Sequence, residues 1–86
     1  MNTTEAVITL VKELVEPRFH ERVTPEAELL QSRLVDSFGL IQLVGDIEAR
    51  FGITISTEEL TMQNFSTVSG IVALVEHLRG RGDGQP

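Results

Sequence analysis

The sequence predicts an all-α fold: a small four-helix bundle with three longer helices, one short helix and a long loop between helices one and two. Three observations carry this expectation. Apolar residues recur at i, i+3, i+4 and i+7 in three separate stretches. Helix-start residues of the Ser, Thr and Asp type stand ahead of those stretches. The only strand-like alternation, Ile53-Thr54-Ile55, is too short to build a sheet.

The first helix is expected over Thr4–Glu16. Thr3 or Thr4 can cap it, and Glu5 favours the positive end of its dipole. Val7, Leu10, Val11 and Leu14 form one apolar face, widened by Ile8 and Val15. Pro17 disfavours helical geometry at Glu16 and ends the element.

Residues 17–35 form the long connection. Thr24-Pro25-Glu26 reads as a cap, a proline at the first helical position and an early acid, so a short helical turn is expected there. Leu29, Leu30, Leu34 and Val35 can pack the loop, with Phe19 and Val23 in support. A loop of this length in a small domain is functional or packed by its own side chains.

The second helix is expected from about Ser37 to Phe51, with Asp36 as N-cap and Gly52 as a left-handed stop. Leu40, Ile41, Val44, Ile47 and Phe51 trace its core face, flanked by Leu43. Gly39 and Gly45 lie inside it, each weakening the helix by about 1 kcal/mol relative to Ala. Gly39 is either tolerated flexibility or a place of close approach.

Ile53 and Ile55 are expected to plug the core from an extended segment. Ser56 or Thr57 can cap a short third helix through Glu58, Glu59 and Leu60. Ser56 and Glu59 have capping-box spacing. Met62 and Phe65 are expected to close the core below it. The last helix starts near Thr67, capped by Ser66 or Thr67, and buries Val68, Ile71, Val72, Val75 and Leu78, with Leu74 beside them. Residues 1–79 therefore read as one domain and 80–86 as a Gly-rich, disordered tail. The Arg-Gly-Asp triplet in that tail reads as chance composition.

The totals narrow the function. Eighty-six residues with 41% apolar content suffice for a compact helical core. The absence of Trp and Tyr, with only four Phe, argues against a deep aromatic pocket. Thirteen acids against seven basic residues give a formal charge of −6. That argues against nucleic acid, whose phosphates are bound by Lys and Arg, and favours partners with basic docking surfaces. No cysteine is present, so a disulfide, a thiolate metal site and a Cys nucleophile are excluded. His20 and His77 have no second metal ligand at a familiar spacing, and no metal site is expected. The N-terminus has no signal-peptide pattern, and no apolar stretch reaches the roughly 20 residues of a membrane span. A cytoplasmic monomer is the expectation.

The most informative segment is Val35-Asp36-Ser37-Phe38-Gly39. It places Ser37 as the first helical residue, exposed at the positive end of the helix dipole. No His or Cys stands beside it as a base. A serine displayed without activating chemistry reads as an attachment point modified by another enzyme. A phosphodiester formed there would gain from nearby helix N–H groups. The bland alternative is an Asp-Ser helix start and nothing more.

A wider pattern weighs against that alternative. Leu34-Val35-Asp36-Ser37-Phe38-Gly39 resembles the Gly-Leu-(Leu/Ile)-Asp-Ser-(Leu/Met/Phe) signature of acyl and peptidyl carrier proteins. Leu43, Ile47-Glu48 and Phe51-Gly52-Ile53 are similar to that family's continuation. Thr67-Val68, Ile71 and Leu74 resemble the start of its last helix. The likeness spans roughly residues 4–79.

The resemblance implies 4′-phosphopantetheine attached to Ser37, with a thiol that holds acyl or aminoacyl groups as thioesters. It implies that Asp36 helps the transferase coordinate its metal, and that Phe38 contacts partner enzymes. Gln42, Asp46 and Glu48 are candidate polar docking residues on the second helix, against the alternative of an ordinary solvated face. The implied partners are a phosphopantetheinyl transferase, an adenylating ligase or acyltransferase that loads the protein, and a downstream acyl-accepting enzyme. The chain itself is expected to be no enzyme, since no convergent acid, base and nucleophile are present.

Departures from the family sharpen the reading. Many carriers have Gly two places before Asp36, where this chain has Leu34 preceded by Arg33. Fatty-acid carriers show more acids along the second helix, whereas Gly39, Gln42, Gly45 and Ala49 leave mainly Asp46 and Glu48 here. The Asp-Ser-Phe-Gly run and Gln42 look closer to D-alanyl carriers and to stand-alone carriers of secondary metabolism. Polyketide or nonribosomal peptide type assembly, as in antibiotic biosynthesis, is the leading context. D-alanine transfer for cell-wall teichoic acid modification follows, then fatty-acid synthesis. A different class altogether is a non-catalytic helical interaction module in which Ser37 only caps.

Overall fold

A computed structural model describes residues 2–83. Four α-helices follow one another: α1 (Thr3–Lys12), α2 (Ser37–Phe51), α3 (Met62–Phe65) and α4 (Val68–Asp83), with 3₁₀ turns at Pro17–Arg22 and Thr57–Glu59. No strand occurs among the described residues. This is the expected all-α bundle, with three longer helices and one short one. Helix α1 packs on α4 and α2, and α3 packs on α4.

Helix α1 is capped by Asn2, one residue ahead of the expected threonines. Its Oδ1 accepts the Glu5 amide at 2.8 Å. Ala6, Val7 and Val11 are buried. The helix ends at Lys12, short of the expected Glu16. Leu14 N–H donates to Val11 O and Val15 N–H to Lys12 O, both three residues back, which tightens the last turn out of α geometry. Val15 still reaches the core from that turn, so the apolar spacing outlives the helix.

The long connection is ordered by specific bonds. Its 3₁₀ turn begins at Pro17, ahead of the expected Thr24–Glu26 site, which forms a single turn closed by Ala27 N–H on Thr24 O. Arg18 and Arg22 lie over the Phe19 ring at 4.6 and 5.7 Å. Leu29 N–H donates to Ser66 O at 2.7 Å, and Ser69 N–H donates to Pro25 O at 2.9 Å. These two bonds strap the loop to the entry of α4. Val23, Leu29 and Val35 are buried beneath it.

Helix α2 has the expected bounds. Gly52 takes the left-handed conformation at φ 65° and its amide closes on Glu48 O. Its face differs from expectation: Leu43 and Ile47 are fully buried, whereas Ile41 is 71% exposed. At 100° per residue Ile41 lies about 160° around the helix from Leu43, so a stripe centred on Leu43 and Ile47 turns Ile41 outward. Leu40, Val44 and Phe51 flank the core from half-buried positions.

The expected third helix is two pieces. In the 3₁₀ turn, the Glu59 carboxylate accepts both the Ser56 amide and the Ser56 hydroxyl at 2.9 Å. Helix α3 then starts afresh, with Thr61 Oγ1 accepting the Asn64 amide at 3.1 Å. Phe65 is buried as expected, but Met62 is 59% exposed. Met62 is the first residue of this single-turn helix, and nothing in the fold covers its side chain.

Helix α4 begins after Thr67, whose Oγ1 accepts the Gly70 amide at 3.0 Å. Val68, Ile71, Leu74, Val75 and Leu78 are buried along it. The helix continues to Asp83, past the boundary expected at residue 79, so residues 80–83 are helical where a tail was expected. Residues 84–86 lie outside the described residues.

Candidate functional site

Ser37 stands at a junction that is fixed on both sides. Before it, Val35 is buried and its amide donates to Leu29 O at 3.0 Å. Asp36 is extended at φ −94° and ψ −178°, and its Oδ1 accepts the Gly39 amide at 2.7 Å. Its carbonyl accepts the Leu40 amide at 2.8 Å, the first bond of the helix. Ser37 is therefore the first residue of a 15-residue helix, and it is exposed.

The chemistry available there is display. A hydroxyl on the first helical turn lies beside amides that have no intrahelical acceptor, at the positive end of the dipole. A covalently held phosphate fits such a position, and Ser37 is open to an incoming enzyme. His20 is occupied elsewhere, its Nε2 lying 2.8 Å from Val15 O. His77 is on the exposed side of α4. No group of three His, Cys, Asp or Glu side chains arranged for a metal ion occurs among the described residues.

The structure brings several sequence candidates together on the outer face of α2. Phe38 is 84% exposed. Gln42 Nε2 donates to Asp46 Oδ1 at 3.3 Å, one turn along. These three residues, with Ile41 and Gly45, line a shallow depression of about 320 Å³. Glu48 does not join them. Its Oε2 accepts the Ile55 amide at 2.8 Å and holds the extended segment after α2. Ile41 and Gly45 were not singled out for this face by sequence. The signal for Ile41 was present in the helical angle once Leu43, and not Ile41, is taken as the centre of the stripe.

Comparison with known proteins bears on the same region. The family described as "Phosphopantetheine attachment site" matches residues 5–75. The D-alanyl carrier protein of Streptococcus suis (strain 98HAH33) is 27% identical over 91% of this chain and 96% of its own length. The acyl carrier protein of Thermotoga maritima is 31% identical over 93% of this chain and 100% of its own length. A D-alanyl carrier protein of Bacillus velezensis is 36% identical over 64% of this chain and 70% of its own length.

Proposed function

The chain belongs to the phosphopantetheine-binding carrier protein family, and we propose that Ser37 is the residue to which its 4′-phosphopantetheine is attached. Carriers of this family hold the group covalently and are not enzymes. The observation that supports Ser37 is its placement: an exposed serine opening α2 directly after the Asp36 cap, inside the matched region. Asp36 orients the first turn through the Gly39 amide. The loop straps at Leu29 and Pro25 tie the segment ahead of Ser37 to the entry of α4.

When bound, phosphopantetheine supplies a terminal thiol that carries cargo as a thioester, chemistry this cysteine-free chain lacks. The chain's own residues present the attachment point, cap the helix and offer the outer face of α2 to visiting enzymes. Those enzymes are a phosphopantetheinyl transferase, a loading adenylating ligase or acyltransferase, and an acyl acceptor, in the cytoplasm. No described helix is long and apolar enough to cross a membrane.

The cargo we propose is an aminoacyl or short acyl group in secondary-metabolite assembly, polyketide or nonribosomal peptide in type. Support comes from the sparse acids of α2, where Gly39, Gln42, Gly45 and Ala49 are neutral and leave mainly Asp46 and Glu48. D-alanine transfer is the second reading, favoured by the names of the Streptococcus and Bacillus relatives.

The test is intact-protein mass spectrometry after incubation with coenzyme A and a broad-specificity phosphopantetheinyl transferase, with Ser37→Ala alongside. A phosphopantetheine-sized gain in the wild type alone is expected. No gain in a folded sample, with a control carrier modified, would turn the reading to a helical interaction module.

A further inference from the structure

Among the described residues, Arg33 is the one residue other than glycine at positive φ, 64°. The turn around it is built by main-chain bonds, Arg33 N–H to Leu30 O at 3.1 Å and Val35 N–H to Leu29 O at 3.0 Å. Buried Val35 anchors it. Glycine or asparagine would form the same turn with less steric conflict. No hydrogen bond or ion pair of the arginine side chain offsets that conflict. Arg33 is exposed, and among the described residues its guanidinium meets neither an acceptor nor a carboxylate. Strain held in this way beside a functional residue points to a use outside the fold.

Four residues on, Ser37 opens α2. A phosphodiester on its hydroxyl carries one negative charge and stands next to the Asp36 carboxylate, which faces the Gly39 amide. Like charges so placed repel, and the helix terminus sets only about half a positive charge against them. A cation would complete the balance, but α2 has none in its first turn. Its basic residue is Arg50, in the last turn. Along the chain the cation nearest Ser37 is Arg33. Four extended residues span at most about 14 Å, a gap that a long arginine side chain and a phosphorylated serine close from its two ends.

We propose that Arg33 is a positioning residue for the prosthetic arm: its guanidinium holds the phosphodiester at Ser37 and draws the root of the arm toward the loop ahead of α2. The inference rests on the assignment of Ser37 above. The guanidinium presents its donors in a planar fork, which fits the two non-bridging oxygens of a phosphodiester. Tethering favours this pairing over one with a carboxylate of a visiting enzyme. The phosphate is held four residues away and need not be met by diffusion. The left-handed turn is kept by its main-chain bonds, and the arginine is there for its charge.

Full-length wild type, Arg33→Lys and Arg33→Asn are each prepared in the apo form and after loading with coenzyme A and a broad-specificity phosphopantetheinyl transferase. Intact mass confirms loading. Asparagine tolerates positive φ, so Arg33→Asn removes the charge and leaves the turn. Arg22→Gln removes a charge that lies over Phe19 at 5.7 Å and serves as the control. Urea unfolding and the phosphorus NMR shift are read for each. Attachment is expected to raise the folding equilibrium constant of wild type and Arg22→Gln about threefold more than that of Arg33→Asn, the size of an exposed charge pair. Arg33→Lys keeps the charge without the fork and is expected to fall between. The phosphorus resonance of Arg33→Asn is expected to differ from that of wild type, and that of Arg22→Gln to coincide with it. In about 1 M salt, where charges are screened beyond about 3 Å, the stability difference between wild type and Arg33→Asn is expected to vanish.

Equal gains on attachment in wild type and Arg33→Asn, with one phosphorus shift for both, would overturn the proposal while leaving Ser37 as the attachment site. Equal gains with slower loading of Arg33→Asn would assign the arginine to the transferase, and would also overturn it. A wild type that gains no mass, with a control carrier modified, would overturn the Ser37 assignment and this inference with it.

Discussion

The Gly39 amide donates to Asp36 Oδ1 at 2.7 Å, and a Cβ on Gly39 would stand 3.3 Å from the same oxygen. The cap that opens α2 and the glycine two places after Ser37 are thus one arrangement. The carboxylate satisfies an amide that the helix cannot, and the glycine leaves it the room to do so. Asp36→Ala is expected to lower stability by about 1 kcal/mol, the usual worth of an N-cap, read as a lower urea midpoint.

Gly39→Ala tests the other half of that arrangement. Alanine gains about 1 kcal/mol of helix propensity over glycine. The new methyl must push aside either the Asp36 carboxylate or Val35 Cγ1, each 3.3 Å away. Val35 is buried and cannot move freely, so the cap gives way. No net gain in stability is expected. A gain as large as the propensity difference, in urea unfolding, would show that the contact relaxes without cost.

Gly70 brings the first turn of α4 against α3. A Cβ at this position would lie 2.9 Å from Asn64 O and 3.1 Å from Gln63 O, both backbone atoms. Backbone cannot swing aside as a flexible side chain can. Gly70→Ala is expected to destabilise by about 1–3 kcal/mol, the range for overpacking, outweighing its gain in helix propensity. The equilibrium midpoint in urea measures this directly.

Glu48 joins α2 to the segment that follows it. Its Oε2 accepts the half-buried Ile55 amide at 2.8 Å, while the Ile55 side chain is 7% exposed in the core. Glu48→Ala leaves that amide without its acceptor, at an expected loss of about 1–3 kcal/mol. Glu48→Gln keeps an oxygen in place and is expected to lose less. If Glu48 served only visiting enzymes, both variants would unfold at the wild-type midpoint.

Much of this structure was legible in the sequence because burial follows helical spacing. The bounds of α2, its Asp36 cap, its Gly52 stop and the buried stripe of α4 were all readable from residue type and period. Helix α1 misled because Val15 reaches the core from a tightened turn as well as it would from a helix. Ile41 misled because the pattern 40, 41, 44, 47 can be centred on either side, and only packing selects Leu43. Gly70 carried no sequence signal, since its reason is the backbone of α3, brought close by the tertiary fold. At the candidate site, Ser37 and Asp36 were legible from local chemistry. The depression beside them was not, because it depends on Gly45 meeting no neighbour and on Ile41 turning outward.

Arg33 offers the last test, and it bears on the approach to Ser37. Set residue by residue on Asp36-Ser37, the carrier signature puts its leading glycine three places before Asp36, at Arg33, and not at Leu34 where it was expected. Arg33 is the one non-glycine residue at positive φ among those described, at 64°. The left-handed region brings an L-residue's Cβ against the following carbonyl, at roughly 1–2 kcal/mol. Glycine escapes that contact but loses more chain entropy on folding, by roughly 0.5–1 kcal/mol. The difference leaves Arg33→Gly more stable than wild type by about 0.5–1 kcal/mol on those two principles. The gain should appear as a higher urea midpoint at unchanged slope, the sign of a stability change without a change in unfolded-state compactness. Arg33→Val should move the midpoint the other way, because a β-branched side chain is least tolerant of positive φ. The neighbouring bonds, Arg33 N–H to Leu30 O at 3.1 Å and Val35 N–H to Leu29 O at 3.0 Å, hold this turn in place whichever residue occupies it. A midpoint lowered by Arg33→Gly would mean that the arginine side chain, through contacts of its own, contributes more than its backbone conformation costs.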